Sequence, residues 1–86
     1  MRWVVYILRC TDDTFYTGIT NDLQKRLAAH EAGTGAKYTR GRGPFEVVFT
    51  EDYEDRPDAS KRERMIKRMT RAEKVQLFSD IARSRF

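Results

Sequence analysis

Two phenols, Tyr6 and Tyr16, flank the turn-forming Thr11-Asp12-Asp13-Thr14 in the stretch VYILRCTDDTFYTG. A free phenol titrates near pH 10, so it handles protons at neutral pH only where positive charge lies close. The sequence supplies cations downstream. Arg26 follows the second tyrosine, and Lys37-Tyr38-Thr39-Arg40-Gly41-Arg42-Gly43 mixes cations with an aromatic and glycines and holds no acid, a composition suited to contacting phosphate. His30 and Cys10 are the only residues of their types, which excludes a disulfide framework or a Cys/His zinc site within one chain. Any metal must be held by oxygen.

These side chains need elements to position them. Trp3 to Leu8 is a short β-rich apolar run, and Phe15 to Ile19 is a second, so the phenols belong to a hairpin. They share a face if paired residue numbers sum to an even value, and the sequence leaves that register open. Asn21-Asp22-Leu23-Gln24 offers an N-cap, and Leu23, Leu27 and Ala28 extend at helical spacing until Gly33, predicting a first helix over about 22–31. Arg26 and His30 then fall on either side of Leu23 and Leu27. That spacing fits a snorkelling arginine stem and a hydrogen-bonded packing histidine as well as a functional pair. Residues 32–44 form a long glycine-rich, basic loop. Phe45 to Glu51 alternates as a third strand with Phe45, Val47 and Phe49 on one face, and the acidic stretch EDYEDRPD after it reads as a turn. Asp58 is placed to cap a second helix through about residue 70, with Ala59, Met65, Ile66 and Met69 as its apolar stripe, Arg62 snorkelling within it and Glu63 at its edge. For Glu63 the plain alternative is a surface i, i+4 pair with Lys67. A last amphipathic segment is expected over about 71–82.

The 86 residues suit one domain, and 40% apolar with 12% aromatic residues is too much for a disordered chain. There is no apolar run long enough to span a membrane, and the start MRWVVYILRC does not read as a signal peptide, so a cytoplasmic protein without membrane contact is expected. The net charge of +4 is mild, but residues 59–86 carry nine bases and three acids. A basic C-terminal third suits an anionic partner, although a solvated charged surface has the same composition.

Val5-Tyr6-Ile7, Tyr16-Thr17-Gly18, Arg26 and the later helix bearing Glu63 together resemble the GIY-YIG nuclease domain. Both tyrosines and the second glycine of the signature are kept, while the first glycine is replaced. The likeness covers nearly the whole chain and is strongest to the small stand-alone, YhbQ-like bacterial branch, with His30 after the arginine and a Lys-Tyr-Thr loop beyond. The resemblance implies an α+β fold, a three-stranded, mostly antiparallel sheet flanked by helices. It implies a metal-dependent endonuclease in which Glu63 holds Mg²⁺ or Mn²⁺ and Arg26 grips the scissile phosphate through its planar fork. Tyr16, Tyr6 and His30 remain alternative general bases, and Gly18 would let the backbone approach the substrate closely. Lys37, Tyr38, Arg40, Arg42 and Lys67 are expected to bind nucleic acid, DNA in preference to RNA. Excision-repair members carry a lysine and a late asparagine where this chain reads Ile19-Thr20-Asn21 and Lys74-Val75-Gln76. Specificity would come from a separate targeting partner or be low. The other readings are a nucleic-acid-binding domain without turnover and a protein-interaction module that docks its basic third on an acidic partner.

Overall fold

The computed structural model describes residues 2–84, with side chains through residue 79. Strands β1 (Trp3–Arg9), β2 (Phe15–Thr20) and β3 (Glu46–Tyr53) form one sheet in the order β2-β1-β3, and both pairings are antiparallel. Helix α1 (Leu23–Glu31) follows the hairpin, a short 3₁₀ turn at Lys37–Thr39 interrupts the long loop, and α2 (Arg56–Lys67) and α3 (Arg71–Ser84) close the chain. This is the expected α+β architecture. Among the described residues no helix is long and apolar enough to cross a membrane.

The central strand β1 is buried on both faces. Val5 and Ile7 join Phe49, Ala59 and Ile66 in the apolar core beneath α2, with Phe15, Leu77 and Phe78 packed against it. Tyr6 and Leu8 point the other way and are equally inaccessible. A strand that carries an apolar core on one face and a buried phenol on the other has no solvent side, which is why VVYIL is continuously apolar or aromatic and does not alternate.

Several boundaries differ from the sequence reading for local reasons. The acidic stretch is not all turn: Glu51 to Tyr53 continue β3, where Glu51 accepts from Arg62 Nε at 2.9 Å and Tyr53 donates to the same carboxylate. Arg62 therefore pairs with a carboxylate; it does not merely snorkel. The cap of α2 is Asp55, whose carboxylate accepts from the Asp58 backbone N–H at 3.0 Å, and Pro57 fits the first turn because its missing N–H would have had no intrahelical partner. The helix also stops earlier, at Lys67, and leaves Met65 56% exposed, outside the core stripe assigned to it. In β3, Ile7 pairs with Phe49 and Leu8 with Val47, so Val48 is bulged out of the ladder. That extra residue reverses the alternation: Val48 packs toward the core, and Val47 faces outward at 36% exposure.

Candidate active site

The hairpin register settles the relation of the two phenols. Tyr6 pairs with Gly18 and Leu8 with Tyr16, an even-sum register, so both tyrosines lie on one face with ring centroids 6.3 Å apart. Gly18 serves that packing. A Cβ built on it would stand 2.6 Å from the Tyr6 hydroxyl and 2.8 Å from Cζ, so the close approach this glycine admits is that of its own chain's phenol, and its buried position gives nucleic acid no access.

Asp22 caps α1 by accepting from the Lys25 N–H at 3.1 Å. The helix then delivers Arg26 and His30 to the tyrosine face one turn apart. His30 is 1% exposed, with Nε2 2.9 Å from the Tyr6 hydroxyl and Nδ1 2.7 Å from Thr39 Oγ1, so both ring nitrogens are engaged. Burial and the neighbouring Arg26 charge hold its pKa below the ordinary histidine value, which favours neutral imidazole. Arg26 is half-buried beside Tyr6 and Tyr16, and these phenols push its pKa further up. Tyr6 is pulled both ways. Burial raises its pKa most, Arg26 opposes that, and the charges of Tyr16 and Glu63 add to the rise. Glu63 is thus near enough to Tyr6 for its charge to be felt there, although it arrives from a different helix.

Glu63 keeps 19% of its side-chain surface and pairs with Lys67 Nζ at 3.4 Å. Among the described residues no three His, Cys, Asp or Glu side chains cluster as a metal site. A single carboxylate suits a divalent ion that keeps most of its waters, so the donor set fits Mg²⁺ or Mn²⁺ and would not fit a dehydrated cage. A cleft of about 290 Å³ opens beside Tyr16, lined by Phe15, Thr17, Tyr38, Lys67 and Lys74. It places an aromatic wall against two cations, a pairing common in proteins that bind single-stranded nucleic acid.

The basic loop divides into two parts. Lys37 and Arg40 are exposed, whereas Arg42 is tied down, with its guanidinium 4.4 Å over the Tyr38 ring and 2.5 Å from the Asp12 carboxylate. Tyr38 in turn stacks on Tyr16 at 6.0 Å with 26° between the rings. The loop is further zipped to the hairpin by the Thr11 N–H donating to the Arg42 carbonyl at 2.9 Å. Asp12, Thr39 and the cleft positions Phe15 and Thr17 were not legible as site residues. The partners of Thr39 and Asp12 here lie 9 and 30 residues away, and no local pattern marks a contact of that range.

Residues 2–76 match the GIY-YIG catalytic domain. A UPF0213 protein of Clostridium perfringens is 55% identical over 75 residues, which cover 87% of this chain and 81% of that one. A UPF0213 protein of Halobacterium salinarum is 50% identical, covering 86% of this chain and 96% of its own. The solution NMR structure of a UPF0213 protein from Bacillus halodurans superposes with a TM-score of 0.60 at 46% identity, covering 92% of this chain and 84% of that one. The solution NMR structure of an E. faecalis protein does so at 0.67 and 38%, covering 95% and 88%. With both tyrosines, the arginine and the glutamate assembled and the family matched over most of its length, this chain belongs to the GIY-YIG catalytic domain family, a branch of the nuclease superfamily.

Proposed function

We propose that this protein is a divalent-metal-dependent endonuclease that hydrolyses phosphodiester bonds of structured or damaged DNA. The observation that carries the reading is the placement of Tyr6 and Tyr16 on one face, 6.3 Å apart, with the charges of Arg26 and Glu63 both felt at Tyr6. In this reading Arg26 turns its planar fork to two oxygens of the scissile phosphate. Tyr16, the phenol that opens on the cleft, takes the proton of the attacking water, and Arg26 at its side balances the negative charge gained. Tyr6 and His30 are both buried and would act by holding Arg26 and Tyr16 in place, which assigns His30 a supporting role. Glu63 would hold Mg²⁺ or Mn²⁺, which when bound supplies a positive charge to the phosphate and leaving oxygens. Lys37 and Arg40 reach flanking phosphates from the loop, Lys67 and Lys74 from the opposite side of the cleft. Selection among DNA structures would rest with a targeting partner.

A second reading, a nucleic-acid-binding domain without turnover, is favoured by the Lys67 ion pair, which already gives Glu63 a cationic partner. A cleavage assay over single-stranded, duplex, flapped and branched DNA and RNA, with Mg²⁺, Mn²⁺ and chelator, separates the two. Metal-dependent cleavage of DNA supports the first. Salt-sensitive binding with no cleavage under any condition supports the second.

A further inference from the structure

A chain of hydrogen bonds runs inward from the basic loop, and its directions are fixed from its outer end. The Ala36 carbonyl can only accept, so Thr39 Oγ1, 2.9 Å away, commits its single proton there. The same hydroxyl lies 2.7 Å from His30 Nδ1 and must meet it as an acceptor, which places the imidazole proton on Nδ1. Nε2 is then a bare acceptor and receives the Tyr6 O–H at 2.9 Å. The lone pairs of the Tyr6 oxygen are then free to meet the Arg26 charge, which acts on that phenol. With the proton on Nε2 the order would fail: Nε2 would donate to Tyr6, and the phenol proton would turn toward Arg26, donor against donor.

We propose that Thr39 is a positioning residue that holds His30 as the neutral Nδ1–H tautomer, so that Tyr6 donates to His30 and turns its lone pairs to the Arg26 charge. The packing leaves little freedom to escape this arrangement. Thr39 and His30 are each 1% exposed, and Gly35 leaves room for the ring where a Cβ would stand 2.6 Å from Nδ1. Thr39 also lies between Lys37 and Arg40 at the 3₁₀ turn, so seating of the basic loop and orientation of the Tyr6 hydroxyl become one event. The consequence for cleavage rests on the proposed role of Arg26, whereas the tautomer does not.

Because His30 is the only histidine, a long-range proton–nitrogen NMR correlation of the labelled full chain shows one imidazole. Near neutral pH the wild type should show a protonated Nδ1 and an unprotonated Nε2. Thr39→Ser should keep that pattern, and Thr39→Val, which keeps the shape and removes the acceptor, should lose it. A wild-type ring protonated at Nε2, or a folded Thr39→Val with an unchanged pattern, overturns the proposal; the wild-type spectrum decides even if the valine variant does not fold. In the cleavage assay Thr39→Val should lower kcat about tenfold with KM little changed, and Thr39→Ser should restore it. A shifted tautomer with full kcat removes the catalytic consequence. If the wild type never cleaves, the nuclease reading fails, and the spectrum still decides the tautomer.

Discussion

At the scale of single residues, the site separates groups that can meet substrate from groups that can only hold others. Tyr16, Arg26 and Glu63 retain some surface, while Tyr6 and His30 are closed in. Glu63→Gln keeps volume and helix propensity but removes the anionic oxygen a hard cation prefers, so cleavage should fall by orders of magnitude with DNA binding in chelator near the wild-type level. Loss of the Lys67 pair should cost only about 0.3–0.5 kcal/mol, read from urea unfolding. Wild-type cleavage by this variant would move the metal role elsewhere. His30 makes a second residue-scale prediction. Its folded pKa lies below the ordinary 6.5, so the unfolded chain binds the proton more readily than the folded one. Its contribution to stability is complete above pH 6.5 and is lost as the pH falls below that value toward the folded pKa, at no more than about 1.4 kcal/mol per pH unit. Urea midpoints followed with the His30 NMR titration should decline together; an imidazole that titrates at or above 6.5 would contradict the buried neutral state.

At the scale of elements, the β1–β2 hairpin does more than carry two tyrosines. Its register sets Gly18 opposite Tyr6 and leaves the phenol no space beyond the missing Cβ. Gly18→Ala should therefore displace Tyr6 and destabilise the fold by about 1–3 kcal/mol through overpacking, measured as a lower urea midpoint at unchanged slope. An alanine variant with wild-type stability and an intact Tyr6–His30 bond would show that the sheet yields easily here. Helix α2 makes a different use of its ends. Asp55 anchors its start, Ala59 and Ile66 seat it on the sheet, and these residues fix where Glu63 emerges.

At the scale of the whole molecule, charge is distributed less simply than the basic C-terminal third suggests. Arg62 pairs with Glu51 and Arg71 donates to the Asp13 carbonyl, which tie elements together, while Lys67 pairs with Glu63 within α2, so part of that charge is engaged inside the molecule. The exposed Lys37 and Arg40 are better placed to meet phosphate. Replacing both with alanine should weaken DNA binding across sequences and flatten the log–log salt dependence by about 0.7–0.9 for each phosphate no longer neutralised. An unchanged slope would take the loop out of the interface. Arg42 belongs to a separate class, because its removal frees Asp12 and Tyr38 and acts on the seating of the loop.

The sequence by itself determined the hairpin, the order of the elements and the family likeness, because these rest on local signals: alternation, turn residues, capping groups and ordered spacing. It placed Arg26 and His30 beside the apolar stripe of α1 by helical periodicity alone. Tertiary structure decided the rest. The pairing register put both phenols on one face, the Val48 bulge reversed the third strand's alternation, and Asp55 in place of Asp58 took the cap of α2. Whether His30 is open or closed depends on Tyr6, 24 residues before it, and Thr39, 9 residues after it. A side chain's neighbours in sequence set its backbone, but its proton partners are chosen by whatever the fold brings within about 3 Å, and no spacing rule encodes that.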